Sequence, residues 1–184
     1  MKTSSEFLKR YNIKQVAAIT GHRPHKLGKE YKGVGPYSDH IRSEFARLFT
    51  EHKIKIITSG FALGADQLAV EVAISLGLDV EAAIPCDGQE RIWPRESRIK
   101  YNELLNHPLV VNRVVVCPGP YEKWKMYARN RYMVNSVSRI FSVWDGVGKG
   151  GTYDTVKYSR EVGRPLFNID PEGWRPKQGQ LTLF

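Results

Sequence analysis

Short apolar runs alternate with amphipathic stretches along most of the chain, and this alternation constrains the fold more than any other feature. Six runs have the length and composition of strands and are predicted at 15–20, 54–58, 80–85, 110–117, 139–144 and 165–169. Between them, apolar residues recur at helical spacing. Strands that alternate with helices predict an α/β fold, with a mostly parallel sheet covered on both faces.

Five amphipathic stretches are predicted to be helices. Ser38 and Asp39 are expected to cap the first, after an irregular loop over 25–37. Gly77 ends the second, over 65–76. The others are predicted over 88–106, 125–136 and 150–161. Because no linker long enough to divide the chain separates these elements, residues 1–172 are predicted to form one domain, followed by a polar tail over 173–184.

The sequence argues against several classes of protein. No apolar run approaches the roughly 18 residues of a membrane span, and the N-terminus lacks the apolar stretch of a secretory signal. Cys86 and Cys117 each end an apolar run without a CxxC or Cys/His spacing. We therefore expect a cytoplasmic protein with two buried thiols, no metal site, no cofactor and no membrane partner.

The chain carries a surplus of positive charge. Lysine and arginine total 28 against 19 acidic residues, which gives a formal charge of +9. Such a surplus favours polyanionic partners, and it fits a nucleotide, another phosphate-bearing small molecule and single-stranded DNA equally well. The sequence leaves homo-oligomerisation open.

Three turns with glycines follow predicted strands: Thr20-Gly-His-Arg-Pro24, Ser59-Gly-Phe-Ala-Leu-Gly-Ala-Asp66 and Asp145-Gly-Val-Gly-Lys-Gly-Gly-Thr152. The carboxyl ends of parallel strands meet at one edge of a sheet, where ligands bind. Glycines let backbone N–H groups approach a phosphate, and a helix N-terminus adds partial positive charge. With the basic segment 127–131, these turns give the predicted ligand-binding residues: Gly21, His22, Arg23, Ser59, Gly60, Gly64, Asp66, Arg129, Asn130, Gly150, Gly151 and Thr152.

Structural roles compete with binding at several of these positions. Asp66 in the first turn of its helix suits either the helix dipole or a hydrogen bond to a ribose hydroxyl. Thr152 suits either a phosphate or a plain N-cap. Arg129 and Asn130 fit phosphate recognition but also an ordinary basic helix surface.

In chain order, these motifs together resemble the YpsA/YspA-like branch of the SLOG superfamily over about residues 15–170. The resemblance also includes Trp93-Pro94 with Tyr101 and Leu104-Leu105, Arg129-Asn-Arg-Tyr-Met-Val134, and Val143-Trp-Asp-Gly146 with Gly150-Gly-Thr152. It implies a Rossmann-like three-layer sandwich that binds a nucleotide or a nucleotide-derived ligand. The leading hypothesis is therefore a protein that senses or sequesters a nucleotide.

The Lonely Guy phosphoribohydrolases of the same superfamily suggest an enzyme as an alternative. They cleave the N-glycosidic bond of nucleoside monophosphates with a Pro-Gly-Gly-x-Gly-Thr-x-x-Glu motif. Here the position three after Thr152 is Thr155, so the acid/base carboxylate is missing. Asp66 and Asp154 are weak candidates for a catalytic role, and enzymatic activity stays open.

The DNA-processing protein A family suggests a third hypothesis, a single-stranded-DNA-binding protein. It shares the Ser59 to Asp66 turn and the Arg-Asn-Arg segment at 129–131. Lysine and arginine neutralise phosphates in such complexes, and interleaved aromatic side chains stack on bases. The formal charge agrees with this hypothesis.

The last five residues, Gln180-Leu-Thr-Leu-Phe184, resemble the Gln-Leu-(Ser/Asp)-Leu-Phe peptide with which bacterial proteins dock on the β sliding clamp. The clamp-binding residues that this resemblance implies are Gln180, Leu181, Leu183 and Phe184. Apolar anchors on a polar leash suit a pocket in a partner. The alternative is a tail that folds back on its own domain.

Overall fold

The computed structural model describes residues 2–175, and the strands in this part of the chain form one sheet of six. The strands are β1 (Val16–Gly21), β2 (Ile56–Ser59), β3 (Asp79–Ile84), β4 (Val110–Val115), β5 (Arg139–Val143) and β6 (Leu166–Ile169). They lie in the order β4-β3-β2-β1-β5-β6, and every neighbouring pair is parallel. The predicted α/β fold is confirmed.

The helices are α1 (Pro36–Glu51), α2 (Ala65–Ser75), α3 (Arg95–Leu105), α4 (Lys123–Asn135) and α5 (Gly151–Glu161). The first three pack on one face of the sheet, where Ile19 of β1 and Phe45 of α1 lie in one apolar cluster. A second cluster joins the opposite face to α4, through residues such as Ala18 and Met133, and Tyr158 of α5 packs against it. Successive strand residues therefore face opposite layers, as the pleat requires.

The strand order reverses between β1 and β5. From β1 the chain builds outward to β4, and then it returns to place β5 on the other side of β1. Helices on either side of such a reversal diverge and leave a crevice beyond the carboxyl ends of the strands. Gly21 ends β1 and Val143 ends β5, so their turns border this crevice.

The first helix begins earlier than the sequence predicts, at Pro36, so that Ser38 and Asp39 lie inside it instead of capping it. Proline suits the first turn of a helix because its missing N–H has no partner there. The caps come from Glu30, whose carboxylate accepts hydrogen bonds from the Tyr37 amide (3.1 Å) and the Ser38 amide (2.7 Å). The predicted capping role of Ser38 and Asp39 is therefore wrong, because a loop side chain supplies the acceptor.

The helix predicted over 88–106 begins only at Arg95. Proline disfavours helical conformation in the residue before it, which here is Trp93. Gly88 has a φ of +65°, which begins a turn rather than a helix. Residues 88–94 therefore form a loop at the carboxyl edge of the sheet.

Three further predictions concern exposure and the tail. Both cysteines are buried and free, as predicted. Within the described range, no helix combines the length and apolar character needed to cross a membrane. Of the predicted tail, Trp174 packs edge-on against Tyr37 at 5.5 Å, and Arg175 Nη2 donates to the Tyr37 hydroxyl (2.8 Å). The clamp-binding-like peptide over 180–184 lies outside the described residues.

Candidate functional site

A pocket of about 270 Å³ opens at the strand-order reversal, and we call it the switch-point pocket. Its walls come from the end of β1, the turn after β2, helix α4 and the N-terminus of α5. Seven of the predicted ligand residues line it: Gly21, Arg23, Asp66, Arg129, Asn130, Gly151 and Thr152. The topology thus brings together residues that are up to 131 positions apart (21 and 152).

Arg129 and Asp66 form a buried charged pair in the wall of this pocket. Their exposed fractions are both 5%, and Arg129 Nη1 lies 4.0 Å from Asp66 Oδ2. Nη1 also donates to the Ala83 carbonyl (3.4 Å), and Nε donates to Asn130 Oδ1 (2.8 Å). Among the described residues, no acceptor takes a hydrogen bond from Nη2. Because Arg129 lines the pocket, its guanidinium can reach a ligand there.

Burial controls the protonation of this pair. It raises the pKa of Asp66 above its ordinary value, and the positive charges of Arg129 and Arg23 oppose that rise. Burial lowers the pKa of Arg129, but a guanidinium remains protonated in proteins. The pocket wall therefore keeps a positive charge next to Asp66.

Gly60 and Gly64, which were predicted as ligand-binding residues, do not line the switch-point pocket, and the absence of a side chain at each allows close packing. A Cβ at Gly60 would overlap the guanidinium of Arg129, and one at Gly64 would overlap the carbonyl of His22. Gly64 also has a φ of +94°, which side chains rarely adopt. The turn after β2 thereby lies directly against Arg129 and the turn after β1.

Two amides of the same turn donate to side chains within the turn. Asp66 Oδ2 accepts a hydrogen bond from the Ala62 amide (3.4 Å). The Ser59 hydroxyl accepts one from the Phe61 amide (3.2 Å). Ser59 is fully buried and does not reach the pocket.

His22 connects the turn after β1 with the loop after β5. Its Nε2 lies 2.9 Å from Asp145 Oδ1 and 3.0 Å from the Asp145 amide nitrogen, and Lys26 Nζ lies 2.9 Å from Asp145 Oδ2. Burial lowers the pKa of His22, against the opposing influence of Asp145. Burial acts to raise the pKa of Asp145, but hydrogen bonds from Lys26, the Val147 amide and His22 lower it to about 2. His22 therefore holds the pocket mouth together from outside its lining.

The N-terminus of α5 faces the pocket with glycine in place of a capping side chain. Gly150 occupies the N-cap position, and within residues 2–175 no side chain accepts a hydrogen bond from the first turn. Gly151 and Thr152 line the pocket, whereas Gly150 does not. The first amides of a helix have no intrahelical acceptor, so this end is suited to an anion. The Thr155 hydroxyl is directed inward and donates to the Gly151 carbonyl (2.8 Å).

One wall of the pocket was not predicted from the sequence. This wall comes from the loop after β4 and the first turns of α4, and it consists of Tyr121, Lys123, Met126 and Tyr127. Thr20 and Ala62 also line the pocket. The spacing of 123, 126, 127 and 130 is that of one helix face. A helix predicted from Lys123 instead of Lys125 would have placed these residues beside Asn130.

Two further clefts adjoin the switch-point pocket. One, of about 420 Å³, lies between the loop over 87–93 and the segment 120–126, which enters α4 at Lys123. We call it the side pocket; it shares Arg23, Tyr121 and Met126 with the switch-point pocket. The other, of about 400 Å³, lies between α4 and α5 and shares Tyr127 and Asn130. Asp154 lines this second cleft and not the switch-point pocket. Both clefts therefore adjoin the switch-point pocket, one on either side, and we call the three openings together the groove.

Comparisons with known proteins agree with this architecture. The chain is 28% identical over 141 residues to the "Uncharacterized SPbeta prophage-derived protein YoqJ" of Bacillus subtilis (strain 168), a match over 66% of this chain and 80% of that protein. The fold of the present chain is similar to that of DNA processing protein A (DprA) from Streptococcus pneumoniae, with a TM-score of 0.61 and 18% identity. That likeness covers 91% of this chain and 53% of the other, so the chain spans about half the length of the solved structure.

The family assignment comes from a sequence profile. Residues 32–182 match the family described as DNA recombination-mediator protein A. This range includes the Ser59 to Asp66 turn and the Arg129 to Arg131 segment, on which the resemblance to DNA-processing proteins depends. The chain therefore belongs to the DNA recombination-mediator protein A family.

Proposed function

We propose that the switch-point pocket binds the phosphate of a nucleotide and that the protein senses or sequesters this ligand. The observation that carries the proposal is the buried guanidinium of Arg129 beside the glycine-capped N-terminus of α5. Arg23 and Lys123 add positive charge at the same pocket. A guanidinium and helix amides are the groups that bind phosphate oxygens most readily.

Binding is favoured over N-glycosidic hydrolysis by the surroundings of the acidic side chains. Asp66 accepts the Ala62 amide and lies beside Arg129, so its carboxylate is already engaged. Asp154 lines the neighbouring cleft. A general acid must reach the bond that it protonates. We therefore expect a nucleotide to be bound and released intact.

Calorimetric titration with AMP, GMP, CMP and UMP tests the phosphate site. Arg129→Gln is expected to weaken binding by about tenfold or more, because it removes a charge-assisted hydrogen bond. Arg23→Gln serves as a second variant that leaves the buried Asp66–Arg129 pair in place. Arg98→Gln, an exposed residue of α3 outside the pocket, is the matched control.

Two outcomes would count against this proposal. Equal affinity of the wild type and both pocket variants for every nucleotide would contradict the proposed phosphate site. Free base detected by chromatography after incubation with a nucleotide would show hydrolysis instead of binding alone.

Single-stranded DNA is a second candidate ligand, favoured by the family and by the three adjoining openings of the groove. Arg131 and Lys157 line the cleft between α4 and α5, and Arg91 lines the side pocket. We propose that a strand occupies this groove, with one of its phosphates in the switch-point pocket. Its affinity for an oligonucleotide should fall steeply with salt, and Arg131→Gln with Lys157→Gln should reduce the slope. A salt-independent affinity, or none at low salt, would exclude this mode.

Recruitment to the β sliding clamp rests on the terminal peptide alone. We propose that Gln180, Leu181, Leu183 and Phe184 bind the clamp. Deletion of 180–184 should abolish capture of the full-length protein by immobilised clamp. Capture that is undiminished by the deletion would assign the contact to another surface.

A further inference from the structure

The side pocket presents exposed apolar side chains around a concave opening. Ile92 is 91% exposed and Tyr121 is 62% exposed, and both line this pocket with the ring of Trp93. Single exposed apolar side chains are common, but several around one concave opening indicate a binding surface. The volume of about 420 Å³ lies within the range of small-molecule sites, roughly 300–1,000 Å³.

The walls of the side pocket are held in place by hydrogen bonds between its two loops. The Gly119 amide donates to Asp87 Oδ2 (2.6 Å), and the Asp87 amide donates to the Gly119 carbonyl (3.1 Å). The buried Lys125 Nζ donates to the carbonyls of Pro118 (3.0 Å) and Pro120 (2.8 Å). Tyr121 is therefore presented from a fixed loop.

The opposite wall is fixed by packing against the core. Trp93 meets Tyr101 edge-on at 5.4 Å. Gln89, which is buried, donates through Nε2 to the Gly60 carbonyl (3.1 Å). The loop that carries Ile92 and Trp93 is thereby attached to the same turn that packs on Arg129. The side pocket and the phosphate site are therefore connected through the turn after β2.

We propose that the side pocket binds the aromatic base of the nucleotide whose phosphate lies in the switch-point pocket. This inference rests on the proposed function. The two pockets meet at Arg23, Tyr121 and Met126, so one ligand can occupy both. Trp93 and Tyr121 offer aromatic surface to a base, which has a π-face whatever its identity. The ligand class is therefore a nucleoside phosphate, and a bare sugar phosphate fills only part of the site.

Titration with AMP, CMP and ribose 5-phosphate, which has no base, tests the assignment. The wild type should bind both nucleotides about tenfold more tightly than ribose 5-phosphate, since base stacking contributes on this scale. Trp93→Ala should remove most of this difference without changing the affinity for ribose 5-phosphate. Ile92→Ala, at an almost fully exposed side chain, should reduce the difference without a risk to folding. Ile99→Ala, at an exposed position of α3 away from both pockets, is the control.

The possible results distinguish failure of the base site from failure of the phosphate site on which it rests. Equal wild-type affinity for all three compounds would overturn the base site and leave the phosphate site standing. The base site is likewise overturned if the difference in affinity survives in both the Trp93 and the Ile92 variants. Absence of binding by all three compounds would overturn the phosphate site, and the base site with it.

Discussion

At the scale of single residues, Arg129 and Gly60 depend on one another. The guanidinium occupies the space that a side chain at position 60 would need. The turn after β2 is similar to phosphate-binding turns, in which a glycine amide contacts the ligand. At Gly60, the absence of a Cβ also leaves room for the Arg129 side chain. The glycine admits a buried cation to the pocket wall.

Gly60→Ala should therefore displace Arg129 and destabilise the fold by about 1–3 kcal/mol, the usual range for overpacking. Nucleotide affinity should fall together with stability. Urea unfolding and titration measure the two effects. Gly151→Ala, where an added Cβ meets no atom of the described residues within 4 Å, should change stability by less than about 0.5 kcal/mol. A Gly60→Ala protein as stable as the wild type would show that Arg129 has room to move.

His22 should make the protein sensitive to mild acid. Burial places its folded-state pKa below the unfolded value of about 6.5. The unfolded chain then binds more protons, so stability should fall as the pH drops below about 6.5. His22→Gln should flatten this decline between about pH 7.5 and about pH 5.5 in urea unfolding. Some slope should remain, because burial and Arg139 also lower the pKa of His52.

The exposed His25→Gln variant is the control for this experiment. It should retain the wild-type decline. A His22→Gln protein whose stability falls as steeply as that of the wild type would assign the acid sensitivity to other groups.

At the scale of elements, helical and strand periodicity identified every α-helix and strand of the described chain, but not every boundary. The strands shifted by at most two residues, because apolar runs between polar turns fix their extent. The start of α1 depends on Glu30, which lies outside the helix in the preceding loop. The start of α3 depends on Pro94. The proline was a local sign of the helix start, but the charged residues on both sides of it suggested one longer helix.

Strand β3 contains a polar residue that periodicity did not single out. Glu81 is fully buried, and its carboxylate accepts hydrogen bonds from Ser5 Oγ (2.6 Å), Asn112 Nδ2 (2.8 Å), Thr58 Oγ1 (3.1 Å) and the Tyr132 hydroxyl (3.4 Å). These donors come from the N-terminal segment, two neighbouring strands and α4. A single side chain thereby joins the N-terminal segment and a covering helix to three neighbouring strands of the sheet.

Glu81→Ala should lower the free energy of unfolding by about 3 kcal/mol, because it leaves buried donors unpaired and opens a cavity. Chemical denaturation provides the measurement. Glu103→Ala, at an exposed position of α3, should have an effect within about 0.5 kcal/mol. A similar small effect at position 81 would mean that water replaces the carboxylate without loss.

At the scale of the whole molecule, the site is a product of topology. The turns after β1 and β2 and the N-terminus of α5 were recognisable from glycines and strand ends, and the general rule for parallel sheets placed them at one edge. The rule does not say which side chains reach the pocket. His22 and Ser59 were predicted as contacts but are held behind the lining by Asp145 and the Asp66 turn. Tyr121 and Lys123 required knowledge of how the loop after β4 turns into α4.

Ligand binding should stabilise the entire domain, because the pocket joins segments that separate on unfolding. A nucleotide at about 100 times its Kd should add about 2.7 kcal/mol to the free energy of unfolding, which corresponds to a Tm increase of about 5–10 °C. Thermal scans with AMP measure the shift. The increase should shrink in Arg129→Gln and persist in Arg98→Gln. A Tm that is independent of nucleotide in the wild type would contradict a site built from both ends of the domain.

The reversal of strand order also has a consequence for synthesis on the ribosome. The strand that opens the crevice, β1, is made early, whereas its neighbour β5 begins only at Arg139 and helix α5 follows it. A nascent chain that stops short of β5 has four strands and the pocket arginine, but nothing to close the anion-accepting end. Under the proposed function, nucleotide capture should become available only when translation of the domain is almost finished, and retention on a nucleotide resin should report completed folding.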